Sequence, residues 1–353
     1  HSNREMFGLE KELVESVERK TSQFMKVIKN CLKIKNESIL IISDYGDKNK
    51  RLSTMLACGY YLAAKSKNLN VELLFQHVKK GFMHAFKNLV KSLEKLEKGS
   101  IIILAVSNKL GRMGTLKSFR GFCRENEHRF ISATGLADAR TNHFELFIEA
   151  ININYSRMKK KGLALKKILD SAKEIRIKTD AGTDLTFNVD GMTSAINVGN
   201  YQEQGSGGNM PAGEVYIPPK GYYGVSGILV VDGSMKTAEG TILLDEPVKL
   251  YIEEGRVVKL EGRSAFHLEK TFQKYEDRAK YPYRVRHIGE LGIGINPGAI
   301  LIGSTIMDEK VLGTAHVGIG SNYWFGGDIR TVFHGDQIFK SPIIFVDDKK
   351  INV

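Results

Sequence analysis

Eight residues between positions 214 and 336 pair reactive side-chain types with small or apolar neighbours. They are Glu214 in GNMPAGEVYIPP, His287 and Glu290 in RHIGELGIGINPGA, Glu309 and His316 in MDEKVLGTAHVGIG, Tyr323 in GSNYW, and His334 and Asp336 in TVFHGDQIF. Such neighbours predict burial, and a buried ion is costly unless it is paired or bound to a metal. Read as a strand, TVFHGDQIF puts His334 and Asp336 on one face and Phe333 and Gly335 on the other. Alone, that pair reads equally as two metal ligands or as a hydrogen-bonded pair at a strand end. Glycines at 313, 318 and 320 around His316 predict a close backbone approach. Taken singly, Glu214 reads as ion-paired, His287 as a satisfied histidine, and Glu309, between Asp308 and Lys310, as part of a solvated turn. Their co-occurrence points to a site, with His267 the one histidine after residue 180 outside the set.

Two histidines with three or four carboxylates are the ligand types of a hydrolytic two-metal site. Oxygen-rich donors with imidazole suit Zn, Co or Mn. Two such ions about 3.5–4 Å apart lower the pKa of a bridging water and polarise a carbonyl. A non-ligating carboxylate then carries the proton to the leaving group, and a tyrosine hydroxyl donates to the oxyanion.

These residues need a scaffold, and the chain predicts two. A length of 353 residues favours two domains. Residues 1–180 hold 35 Lys+Arg against 19 Asp+Glu, and residues 181–353 hold 17 against 21, while 25 of the 35 glycines fall in the second part. In the first part, helical periodicity over 8–34 is followed by apolar strands (SILIIS, NVELLFQ, SIIILAVS) that alternate with helices. That pattern predicts a parallel sheet covered on both faces. The loop SDYGDKNK carries no G-x-G-x-x-G, which argues against a dinucleotide site. From about 175 the texture changes to short alternating segments, with TDAGTDLTFNVDG as a hairpin and SAFHLEKTFQKYEDRAK as the one clear helix. The expected fold is α/β plus α+β: an N-terminal Rossmann-like parallel-sheet domain over 1–175, and a C-terminal, mostly antiparallel β domain over 176–353 that carries the metal site. Three cysteines without a C-x-x-C pattern and no apolar run of membrane length predict a reducing, cytoplasmic setting. The opening His1-Ser2 reads as an expression remnant, and HSNREMF lacks the apolar core of a signal peptide. The basic first part raises binding to nucleic acid or another acidic partner as a reading of another class. A lysine-rich solvated surface accounts for it more simply.

The segments NMPAGEVYIPP, GELGIGINPGA, the run from Asp308 through His316 to Tyr323, and FHGD resemble the thermophilic metallo-aminopeptidase family of the aminopeptidase T and aminopeptidase S type. The resemblance is specific from about residue 175 onward. It implies Glu214, Glu290, His316, His334 and Asp336 as ligands of two divalent ions, Glu309 as general acid/base and Tyr323 as the oxyanion contact. It also implies a homodimer acting on short peptides. The chain is shorter than typical members, and its loop between His316 and His334 is compressed. A second branch with the same fold resembles this chain in overall length and in RHIG: ring-opening dioxygenases of dihydroxypyridines that use a mononuclear iron. That likeness implies His287, His334 and Asp336 as the iron ligands.

Overall fold

The structure, a computed structural model, describes residues 2–353. His1, part of the dipeptide read as an expression remnant, lies outside the described residues. The chain divides into two compact units, one of residues 1–155 and 199–212 and the other of residues 156–198 and 213–353. The first unit ends at Tyr155, the first residue of the helix Tyr155–Asp170, and the chain returns to it briefly at 199–212.

The first unit is the expected parallel α/β layer. Its strands are β1 (Ile39–Ser43), β2 (Val71–Phe75), β3 (Ile101–Ala105) and β4 (Arg129–Ala133), joined by β8 (Gly207–Asn209) in the order β2-β1-β3-β4-β8, all parallel. Every residue of β1, β3 and β4 is buried, which is why the first two read as near-continuous apolar runs instead of alternating ones, while β4 buries Arg129 and Ser132 among its apolar residues. The loops after β1 and β3 are tied by Asp44, whose carboxylate accepts from Ser107 N at 2.8 Å and Ser53 Oγ at 2.8 Å. The single helix expected over 8–34 is instead Lys11–Glu18 and Thr21–Val27, followed by a π-turn over Ile28–Leu32. Lys20 leaves the helical region at φ −110°, ψ 10°. Val17 and Phe24 stand seven residues apart, two helical turns, so the apolar period survives the break.

Among the described residues, the second unit holds two antiparallel sheets. One runs β14 (Arg256–Glu261), β13 (Val248–Glu253), β10 (Val225–Val231), β6 (Asp184–Asn188), β5 (Glu174–Lys178), β18 (Ile343–Val346), β19 (Lys349–Ile351). Here β5 and β6 form a hairpin whose turn and second strand fall in TDAGTDLTFNVDG, while its first strand precedes that segment. The other runs β12 (Gly240–Leu243), β11 (Ser234–Thr237), β17 (His334–Lys340), β16 (Thr314–Gly320), β15 (Ile288–Gly294), β9 (Glu214–Ile217), β7 (Ala195–Asn197). Its four central strands carry most of the reactive residues. One helix, Ala265–Glu276, matches the expected helical segment.

Candidate metal centre

Strand pairing puts the reactive residues on one face of the second sheet. Glu214 lies opposite Gly294, His316 opposite Gly292, and Gly318 between Glu290 on one side and Asp336 on the other, with His334 opposite Gly320. Alternation sends Val215, Ile217, Leu291, Ile293, Ala315, Val317, Ile319 and Phe339 to the opposite face, where all are buried. One face is therefore hydrophobic core and the other a polar floor. The glycines leave room for it: a Cβ at Gly292 would lie 1.9 Å from His316 Nε2, and one at Gly318 would lie 2.8 Å from Glu290 Cβ and 2.9 Å from His334 Cε1.

Six ligand-type side chains converge there. Glu290 bridges the two histidines, with Oε2 2.9 Å from His316 Nε2 and Oε1 3.6 Å from His334 Nε2. His334 Nε2 also lies 3.1 Å from Asp336 Oδ1, and Glu214 Oε2 is 3.5 Å from His316 Nε2. Glu309 arrives from the end of the short helix Thr305–Asp308 and hydrogen-bonds Asp336. Two groups bring potential ligand atoms within 4.8 Å of one another: Glu214, Glu309 and His316, and Glu290, His334 and Asp336. The chain therefore has the donors for metal binding. His334 Nδ1 is fixed by Ser321 O at 2.8 Å, which leaves Nε2 facing the cluster.

Protonation follows from crowding charge in a buried place. Burial pushes Glu214 up to about 7, against the pull of Lys310 and His316. Burial and the charge of Glu214 raise the Glu309 carboxyl well above the usual carboxylate range. For His316, burial works downward, but the Glu290 hydrogen bond and the Asp336 charge prevail and push it up to about 10. His334 likewise rises to about 10, driven against burial by Asp336. Burial would raise Asp336, yet the His334 charge and hydrogen bond hold it well below the usual range. In the metal-free protein the two imidazolium rings therefore supply the positive charge that the carboxylates require. The buried Glu214 Oε2 has no hydrogen-bond partner among the described residues, as fits an oxygen shaped around a cation.

The structure thus brings together Glu214, Glu290, Glu309, His316, His334 and Asp336. Two candidates fall elsewhere. His287 is buried in a separate cavity, its Nδ1 3.0 Å from Tyr222 O and its ring among those of Tyr222, Tyr223 and Tyr283, so it does not join His334 and Asp336 as a ligand. His287 stands three residues before Glu290, an odd separation that regular alternation does not place on Glu290's face, and it closes the 3-10 turn Pro282–Arg286 before β15 begins. Tyr323 is 46 % exposed and stacked under Arg330 at 4.3 Å. Trp324, which the sequence did not single out, is the aromatic ring beside the cluster, 5.0 Å from His334. Lys310 was missed too. Far from a solvated turn, Asp308, Glu309 and Lys310 are all buried, and Lys310 Nζ lies 2.9 Å from Glu309 Oε1. The E-x-G-x-G alternation of GELGIG was the available signal for the polar floor.

The sequence model of the family described as NicX: 2,5-dihydroxypyridine 5,6-dioxygenase matches residues 151–352. No curated protein matches the chain. Among solved structures, the chain is similar to the 2,5-dihydroxypyridine dioxygenase from Pseudomonas putida KT2440, with TM-score 0.73 and 17% identity over 96% of each chain. It is also similar to AmpT from Thermus thermophilus, with TM-score 0.67 and 13% identity over 95% of this chain and 97% of that one. At these identities both likenesses show a shared fold and nothing more. The family match spans every candidate site residue and overturns the expectation of an aminopeptidase, and with it the hydrolase and protease reading. The physical reason is that imidazoles and carboxylates on this polar face serve a hydrolytic metal and a redox metal alike, so the donor types do not fix the reaction.

Proposed function

The chain belongs to the 2,5-dihydroxypyridine 5,6-dioxygenase (NicX) family, and from that membership we propose that it is a metal-dependent ring-opening dioxygenase of a dihydroxylated pyridine. The observation that carries the reading is the bridging of His316 and His334 by the two oxygens of Glu290, beside Asp336. Two imidazoles and a carboxylate with no thiolate fit the donor pattern of non-haem iron(II). Glu290, His334 and Asp336 form the group that would hold the ion, and His316, which reaches it through Glu290, would supply the second imidazole in the place first assigned to His287. Bound there, ferrous iron supplies one-electron and O2 chemistry.

The remaining groups act on protons and orientation. Glu309 and Glu214, whose carboxyls burial raises in the metal-free protein, would pass protons to and from a substrate hydroxyl. Lys310 fixes the Glu309 carboxyl from below, its own ammonium anchored by Ile306 O at 3.1 Å. Trp324 offers a flat face beside His334 for a planar ring.

The test is anaerobic loading with iron(II), metal analysis, and oxygen uptake with 2,5-dihydroxypyridine. The expected result is one iron per chain and equimolar loss of O2 and of the ring's absorbance. An iron-loaded protein that consumes no O2 with any dihydroxypyridine would overturn the reading, as would activity that requires two ions per chain.

A further inference from the structure

A second cavity in the same unit, of about 520 Å3, is lined by Tyr222, Tyr223, Arg256, Tyr283, Arg284 and His287, together with the exposed Glu253, Glu254 and Val258. None of the six converging residues lines it. Its volume falls within the span of about 300–1,000 Å3 common to small-molecule sites.

Two guanidinium groups give the cavity its chemistry. The Arg284 guanidinium carbon lies 4.1 Å from the Tyr281 ring centre and 5.7 Å from those of both Tyr222 and Tyr283. Ring contacts of this kind occupy the faces of the guanidinium and leave its in-plane N–H groups to donate. Its one hydrogen bond is long, Nη1 to Arg330 O at 3.4 Å, and its buried Nε has no partner among the described residues. Arg256 is also under-paired. Its nearest carboxylate, Glu276, is 3.9 Å away and already bound by Arg286 at 2.8 Å, and its Nε is likewise buried without a partner. Both Nε atoms are shut off from the cavity, so the Nη groups are the donors a ligand there can reach, and neither arginine has a short hydrogen bond or a close carboxylate to occupy them.

The aromatic walls narrow the ligand further. Tyr223 is 73 % exposed and Tyr283 51 % exposed, each 6.4 Å from the His287 ring centre. Exposed rings beside a pre-positioned guanidinium suit a ligand with a flat face and a planar anionic edge. We propose that this cavity is a binding site for a planar aromatic carboxylate, with the carboxylate received by Arg284 and Arg256 and the ring laid against Tyr223 and Tyr283. A carboxylate offers two parallel acceptors to such a fork.

Calorimetric titration of the full chain with benzoate tests this, with benzamide and acetate separating ring from charge. Benzoate should bind one to one, and benzamide and acetate each at least about tenfold more weakly, the scale of a charge-assisted hydrogen bond. Arg284→Gln and Arg256→Gln should each weaken benzoate by a similar factor with unchanged circular dichroism, and His334→Ala should leave it intact. Equal binding of benzamide or acetate to the unaltered protein overturns the proposal, whatever the variants do. So does loss of benzoate binding in His334→Ala, which would place the anion at the metal centre. The readout is binding and not turnover, so failure here leaves the oxygenase reading standing.

Discussion

Gly292→Ala is the sharpest perturbation of the polar floor. Gly292 sits on β15 opposite His316, and an added Cβ would stand 1.9 Å from Nε2, 2.3 Å from Cε1 and 2.6 Å from Cδ2 of that ring. Ordinary carbon contacts need about 3.5–4.0 Å, so the ring must retreat by well over 1 Å. His316 is fully buried, with no open space to swing into, and its Nε2 would leave Glu290 Oε2. Overpacking of this kind costs about 1–3 kcal/mol, or roughly 2–4 °C of Tm per kcal/mol for a unit of this size. Metal affinity should suffer more than stability. Disturbing groups that merely orient a ligand costs about 10–100-fold, and here a ligand itself moves. Gly318→Ala is the graded companion: its Cβ would meet Glu290, His334 and Asp336 at 2.8–3.0 Å, so it should weaken metal binding less than Gly292→Ala. Competition against a chelator gives the affinities and a thermal melt gives stability. Wild-type metal affinity in a folded Gly292→Ala protein would refute the placement of His316 as a ligand.

Glu290→Gln should sever the bridge between the histidines. The expected outcome is loss of bound metal and about 1–3 kcal/mol of destabilisation of the metal-free protein, read by metal analysis and denaturant titration, and retention of full metal content would exclude Glu290 from the centre. The metal-free protein should also lose stability as pH rises from about 6 to 10. His316 and His334, raised from 6.5 to about 10, contribute stability that is complete below 6.5 and lost on approach to 10. Glu214, raised from 4.5 to about 7, adds a loss of the same sign between those values. Metal loading, which takes the place of those protons, should flatten the dependence in Tm scans, and parallel curves with and without metal would contradict it. Finally, Trp324 is the chain's one tryptophan, so its fluorescence should change on iron(II) binding and cease to respond in His334→Ala; an unchanged response in that variant would place the metal elsewhere.

Much of this was legible in the chain. The doubly apolar strands announced the covered parallel sheet, and GELGIG and FHGD announced a strand face carrying ligands. What stayed hidden depended on breaks in regularity. His287 lies three residues from Glu290, outside β15, and the 3-10 turn it closes sets its direction, which no strand pattern predicts. Lys310 looked solvated because its neighbours are charged, yet all three pack inward beneath the cluster. Tyr323 and Trp324 are adjacent in a 3-10 turn, and local geometry alone gives Trp324 the position by His334. The reaction itself was least legible, since both readings draw on the same donors.

The four strands that meet at the polar floor come from well-separated stretches of chain, with Glu214 on β9, Glu290 on β15, His316 on β16 and His334 and Asp336 on β17. An ion held among them is therefore a cross-link as well as a reagent, since it fastens the sheet across four strands and closes long loops in a single contact. Occupancy and rigidity of this sheet then rise and fall together. A cell short of the metal would hold a looser protein.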